Sequence, residues 1–223
     1  MDLNRRYRRV ARGYDLVSGE PVYGVGRRLG IQALDLEPGD VVLDVGCGTG
    51  LNFGGLQDAV GPTGRVIGLD ASAAMIARAA ARSLRAGWQN VDLLLADATS
   101  LDPDVVLRRT GRPCDAVLAT YALSLMPQWR QAWQTMAAVA SPTARLTVVD
   151  MQRPVDAPAA AVRLAEIACR LGGSDIDAHP WSTLEQECAA VRSAEAWAGH
   201  VQVRSGRPRR SPPSRRSTAG QPV

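Results

Sequence analysis

Three glycines on alternate positions, Gly46, Gly48 and Gly50, follow directly on Val41-Val42-Leu43-Asp44-Val45, an apolar run that carries a single acid. The chemistry open to such a pattern is the binding of a small molecule against backbone. A strand covered on both faces reads as a near-continuous apolar run. Glycines just beyond it let the chain turn through positive φ and approach a ligand closely. In open α/β sheets the crevice past the carboxyl ends of such strands is where nucleotides lie. A second apolar run, Val66-Ile67-Gly68-Leu69-Asp70, also ends in an acid, and it lies twenty residues after Gly50. A carboxylate at that strand end can accept hydrogen bonds from both hydroxyls of a ribose.

The spacing narrows the nucleoside. A dinucleotide fingerprint needs G-x-G-x-x-G, but the sixth position is Leu51 counted from Gly46 and Phe53 counted from Gly48. A phosphate-binding loop ending in Gly-Lys-Ser/Thr is excluded because the chain contains no lysine. What remains is D-x-G-x-G-x-G followed by an acid-terminated strand. The order continues with Leu93-Leu94-Leu95-Ala96-Asp97-Ala98, then with Cys114 to Leu123, which includes Thr120 and Tyr121, then with Leu146-Thr147-Val148-Val149-Asp150.

These segments, over roughly residues 36–150, resemble the class I S-adenosylmethionine-dependent methyltransferases. The resemblance implies S-adenosylmethionine as cofactor. It assigns the methionine end to Asp44 and the loop of Gly46, Cys47, Gly48 and Gly50. It assigns the ribose to Asp70 and Ala71, and the adenine to Asp97 and Ala98. Within the family, Tyr7, Ala11 and Tyr14-Asp15 most resemble the ubiquinone/menaquinone and phospholipid N-methyltransferase branch, in which an N-terminal helix closes over the cofactor. That makes Tyr7, Tyr14, Tyr23 and Tyr121 the candidate lining of an acceptor pocket for a small-molecule or lipid-like acceptor. No histidine occurs in the fourth or fifth strand segment. Carbon methylation wants a base to remove a proton, so N- or O-methylation is favoured. Transfer of the aminocarboxypropyl group of the same cofactor, or a non-catalytic role as a cofactor-binding partner subunit, are the alternatives. A specific nucleic-acid acceptor is disfavoured because no Asn-Pro-Pro-Tyr-type motif follows the fourth strand.

The family's fold is the expected one, a Rossmann-like doubly wound sheet of seven strands in order 3-2-1-4-5-7-6, the last antiparallel. Strands are expected at 41–45, 65–70, 91–95, 114–119 and 144–149, with helices at about 51–60, 72–86, 103–109, 128–140 and 158–171. Alternation at this pitch argues for a parallel sheet with helices on both faces. Pro180 to Val191 reads as a further helix, and 192–198 and 199–205 as the closing hairpin. Ahead of the first strand, Arg5 to Leu16 and Tyr23 to Leu34 read as helices. The expected division is an N-terminal helical lid over 1–36, a cofactor-binding domain over 37–206, and an Arg/Pro/Ser-rich disordered tail over 207–223.

Composition fits one globular domain. The chain has 223 residues, 46% of them apolar, and lacks a run of the roughly 18 apolar residues needed to span a bilayer. Cys47, Cys114, Cys169 and Cys188 have no metal-ligand spacing and are expected to be reduced thiols in a cytoplasmic protein. His179 and His200 are too isolated for a metal site and are assigned surface or packing roles. The net charge of +4 is unevenly placed. Residues 1–12 carry five arginines and one acid, residues 204–223 carry six arginines and no acid, and the body between them sums to −6. The basic first helix is compatible with peripheral contact on an anionic membrane.

Overall fold

The computed structural model describes residues 20–209. The first predicted helix, with Tyr7 and Tyr14, and the tail beyond Arg209 lie outside the described residues. A helix α1 (Glu20–Ala33) precedes strand β1 (Val41–Val45), and strands and helices then alternate: α2 (Phe53–Val60), β2 (Arg65–Asp70), α3 (Ala73–Ala86), β3 (Val91–Leu95), α4 (Pro103–Thr110), β4 (Cys114–Thr120), α5 (Trp129–Val139) and β5 (Ala140–Met151). The chain continues through α6 (Ala159–Gly172), α7 (Trp181–Glu187), β6 (Cys188–Ala196) and β7 (Val201–Pro208). The seven strands form one sheet in the order β3-β2-β1-β4-β5-β7-β6. β1 to β5 pair in parallel, and β7 is antiparallel to both β5 and β6.

The period-2 alternation of the strands sorts their side chains onto two cores. Leu43, Val45, Ile67, Leu69, Val117 and Leu146 pack with Trp133, Met136 and Val139 of α5. On the other face Val42, Val66, Leu118, Val149 and Val203 pack with Phe53, Leu56 and Val60 of α2 and with partly buried Leu29 and Ile31 of α1. Asp44 has the parity of Val42, so alternation alone directs its carboxylate to the face that α1 and α2 cover.

Local sequence explains the element ends. Asp102 accepts the Asp104 N–H at 3.0 Å and Pro103 opens α4, a combination suited to the unpaired first-turn donors. Gly87 closes α3 at φ +72°, the left-handed cap that glycine adopts at no steric cost.

The closing hairpin differs from expectation. The helix expected over 180–191 ends at Glu187, and β6 begins at Cys188 rather than 192. β7 runs from Val201 to Pro208, two residues past the expected domain end at 206. Cys188 pairs with Pro208 and Ala196 with Val201. The mostly exposed β6, with its slipped register between Ala189 and Arg192, has no buried alternation for a sequence pattern to reveal. β5 also starts earlier than 144, at Ala140, with an irregularity opposite Cys114–Ala116.

Helix α1 lies against β4, β5 and β7. Ser205 Oγ donates to the Ala33 carbonyl at 2.8 Å, and Thr147 Oγ1 donates to Ser205 Oγ at 2.9 Å. A Cβ on Gly26 would stand 2.0 Å from Tyr121 Oη, and one on Gly30 would stand 2.5 Å from Val149. Only glycine permits that approach. Among the described residues no helix is long and apolar enough to cross a membrane.

Candidate cofactor and acceptor site

A cavity of about 660 Å³ opens beyond the carboxyl ends of β1, β2, β3 and β4. Its floor is the loop after β1. The Cys47 N–H extends the β1–β2 ladder to the Leu69 carbonyl at 2.9 Å, and the chain then turns, with Gly50 N–H donating to the Cys47 carbonyl at 3.0 Å. Gly46 and Gly48 hold φ of +68° and +56°. A Cβ on Gly46 would meet Ala122 at 2.4 Å, whereas one on Gly48 would meet nothing within 4 Å. Gly46 is therefore a packing glycine and Gly48 leaves bare backbone facing the cavity. Arg82 of α3 pins the loop by donating to the Thr49 carbonyl at 2.9 Å.

Asp70 ties this loop to the next one. One carboxylate oxygen accepts the Gly48 N–H at 2.9 Å and the other accepts the Ser72 N–H at 2.8 Å. Each oxygen retains a second lone pair, so both can still accept from a ligand in the cavity that Asp70 lines. Burial raises the Asp70 pKa, and the two N–H bonds oppose that rise. Asp97 is exposed at the rim of the cavity, where Oδ1 accepts the Thr99 N–H and hydroxyl at 2.9 and 2.7 Å. Ala71 and Ala98 line the same wall, as does the Cys47 side, whose buried thiol is pushed well up.

Two of the residues assigned to the cofactor stand behind the wall. Asp44 is fully buried. Asn52 Nδ2 donates to both its oxygens, at 2.9 and 3.1 Å, and to Thr120 Oγ1 at 2.8 Å. Burial pushes the Asp44 carboxyl up to about 7, against the hydrogen bond from Asn52 and the positive charge of Arg27. Gly50 turns away as well, because a Cβ there would stand 2.7 Å from the Phe53 ring. Both support the loop from beneath.

Of the tyrosines, Tyr121 lines the cavity and Tyr23 does not. Tyr121 sits just past β4 at φ +52°, a left-handed backbone that costs a residue with a side chain about 1–2 kcal/mol. Its hydroxyl donates to the Tyr23 carbonyl at 2.9 Å, and the two rings meet edge-on with centroids 5.0 Å apart. Behind them His200 is buried, with Tyr23 Oη 3.3 Å from Nε2 and the Gln152 carbonyl 2.6 Å from Nδ1. The carbonyl can only accept, so His200 donates from Nδ1 to Gln152 and meets the Tyr23 hydroxyl with Nε2. The strand segments contain no histidine, yet the antiparallel return of β7 brings His200 to the end of β5. Its role is packing, as the sequence implied, although its partner is α1.

Three further residues belong to the site or its support that the sequence reading did not assign to it. Arg27 of α1 lines the cavity with its guanidinium 5.4 Å from the Tyr121 ring centroid. Asn52 lies eight residues past Asp44, one turn from the loop. Asp150, fully buried, accepts the Ser124 N–H at 3.0 Å, the Ser124 hydroxyl at 2.7 Å and the Met151 N–H at 2.9 Å. Burial lifts its carboxyl to about 6. It fixes the short helix Leu123–Leu125 that continues the cavity wall. The signal for Asp150 was available, since it closes the apolar run Leu146–Val149 as Asp70 closes Val66–Leu69.

The donor set suits a nucleoside with a polar tail: bare loop backbone, spare lone pairs on Asp70, a cation at one end and the Asp97–Ala98 turn at the other. Residues 42–143 match the family described as the methyltransferase domain. Over that stretch, a little under half of its length, the chain carries a domain of the methyltransferase kind. S-adenosylmethionine is the cofactor of that domain. Among the proteins this chain is similar to is the demethylmenaquinone methyltransferase of Shouchella clausii, 32% identical over 124 residues that make up 56% of this chain and 50% of that protein. Another is the nocamycin O-methyltransferase of Saccharothrix syringae, 35% identical over 133 residues, 55% of this chain and 46% of that one. The matches thus span about half the length of these curated relatives. A methyltransferase of known structure from Aquifex aeolicus shares the fold, with a TM-score of 0.55 and 19% identity over 81% of this chain and 88% of that one.

Proposed function

We propose that this chain transfers the sulfonium methyl group of S-adenosylmethionine to an acidic hydroxyl on a small, largely apolar acceptor, the hydroxyl proton passing to solvent and S-adenosylhomocysteine leaving. The cofactor supplies an electrophilic methyl group, and displacement there is in line, so the protein's task is placement, worth roughly 7–11 kcal/mol of the barrier for well-oriented partners. Asp70 holds the ribose through its spare lone pairs, and the Asp97–Ala98 turn takes the adenine. Asp44 braces the glycine loop from beneath through Asn52. Arg27 takes the carboxylate of the methionine end.

The observation that carries the acceptor class is Arg27 over Tyr121. A guanidinium on the ring face occupies the cation site that a quaternising amine would use, and its charge repels an ammonium while favouring a hydroxyl that loses its proton. Ala122, Leu125, Met126 and Pro127 give that side of the cavity an apolar wall. The described cavity lining contains no histidine or glutamate, which disfavours proton abstraction from carbon. The quinone and nocamycin relatives are consistent with an apolar ring-bearing acceptor.

The test is incubation of the protein with an extract and S-adenosylmethionine bearing a ¹³C methyl group. The methyl carbon's chemical shift separates oxygen, nitrogen and carbon attachment. An O-methyl signal in the organic phase is expected, and an N-methyl or C-methyl product would overturn the reading. Arg27→Met should lose charge-assisted hydrogen bonds worth about 1.5–3 kcal/mol and weaken cofactor binding at least tenfold. With decarboxylated S-adenosylmethionine, wild type and variant should bind alike.

A further inference from the structure

At the opposite end of the sheet from the cavity, two arginines face one carboxylate and a third arginine stands beside them. Arg145 pairs with Ala116 near the amino end of β4, and its side chain is 6% exposed. Its Nη2 stands 3.7 Å from Asp35 Oδ2, outside hydrogen-bond reach, and its Nε and Nη1 are buried with no hydrogen-bond partner. Arg192 Nη1 donates to the same Asp35 Oδ2 at 3.0 Å, so two guanidiniums share one oxygen. Arg207 completes the group. Thr147 pairs with Ser205 and Leu146 with Gly206, so the next step of the antiparallel ladder brings Arg207 opposite Arg145, on the face where Ser205 meets α1.

The imbalance is physical. A buried guanidinium with idle donors is costly, and here its neighbours are like charges. Burial first, then Arg192 and Arg207, lower the Arg145 pKa, and Asp35 alone opposes them. Arginine does not give up its proton in proteins, so Arg145 keeps its charge and its idle donors call for an acceptor.

We propose that Arg145, Arg192 and Arg207 form a binding site for a tetrahedral oxyanion of the phosphate class, remote from the cofactor cavity. Guanidinium donors match phosphate oxygens in both charge and geometry. Arg192 and Asp35 are 56% and 58% exposed, so the anion enters between them and displaces the Asp35 carboxylate from the arginines. The idle donors lie deep, which selects a ligand whose oxygens can reach past Arg192.

The test titrates the full chain with inorganic phosphate by calorimetry, against chloride at the same ionic strength. Saturable heat with phosphate and none with chloride is expected. Arg192→Ala and Arg207→Ala change exposed side chains, so folding should survive. Each should weaken phosphate at least tenfold and leave S-adenosylmethionine affinity unchanged. Asp35→Asn removes the competing carboxylate, tolerates the left-handed φ of +57°, and should tighten phosphate several-fold. A short oligothymidylate identifies the source. If it displaces phosphate in a manner lost in Arg192→Ala, the site takes a phosphodiester, and if it does not, the site takes a free phosphate group. The proposal fails if phosphate binds no better than chloride, if binding survives both arginine substitutions, or if Asp35→Asn leaves affinity unchanged.

Discussion

Gly48→Ala separates backbone cost from ligand contact. Gly48 sits at φ +56° and a Cβ there meets nothing within 4 Å, so the added methyl group causes no clash in the folded protein. Its cost is conformational, about 1–2 kcal/mol for a left-handed residue. For a chain of this size that lowers the melting temperature by roughly 2–8 °C. The same methyl group projects from the cavity floor. Over-packing an occupied site by one carbon costs about 1–3 kcal/mol, which is roughly a 5- to 150-fold loss of cofactor affinity. Gly87→Ala is the matched control, with φ +72° and equally open space at the cap of α3, away from the cavity. It should show the same fall in melting temperature with unchanged affinity. Scanning calorimetry and titration with S-adenosylhomocysteine on the two variants decide the matter. If Gly48→Ala binds within twofold of wild type, the loop does not approach the cofactor and the assigned cradle is wrong.

Asp70→Asn keeps one acceptor and turns an N–H₂ toward Gly48 or Ser72. The loss of one charge-assisted bond, about 1.5–3 kcal/mol, should weaken cofactor binding at least tenfold in an equilibrium titration. Asp44 ionises at about 7 when folded but near its ordinary 3.8 when unfolded. Between those values the native state holds a proton that the unfolded state has released, so stability falls as pH rises through that window. Asp44→Asn should flatten this part of a urea-unfolding profile against pH, and an unchanged slope would count against a buried carboxyl there. Gly26→Ala should push α1 off Tyr121 Oη and Val201 at a cost of about 1–3 kcal/mol, read as a lower urea midpoint.

β1, β2 and β4 were legible because buried parallel strands write themselves as apolar runs, and Val41–Val45 and Arg65–Asp70 match their expected bounds. The glycine loop and its two acids were legible for a similar reason, since each sits at a strand end fixed by that pattern. The start of β6 was not, because an exposed edge strand after a short helix has no apolar rhythm to mark where it begins. The side to which Asp44 turns could have been read from alternation with Val42. The meeting of Arg27 with Tyr121, and of Tyr23 with His200, depends on how α1 lies across the sheet. No local spacing encodes that placement. Gly26 and Gly30, four residues apart on one face, were the trace it left in the sequence.

The seating of α1 also sets an order of events. Its hydrogen bonds to β7 and His200 join residues 172 and 177 apart. At about 5–20 residues per second of synthesis, α1 waits on the order of ten to thirty seconds for the strand that covers it. Contacts of such separation also form late in refolding, after the loop between them has closed. Arg27 rides on this helix, so the cavity's cation is held by contacts to β4, β5 and finally β7, all of them made long after α1 itself. The nucleoside half of the site, Asp70 and Asp97, is therefore synthesised well before the strands that seat its cation.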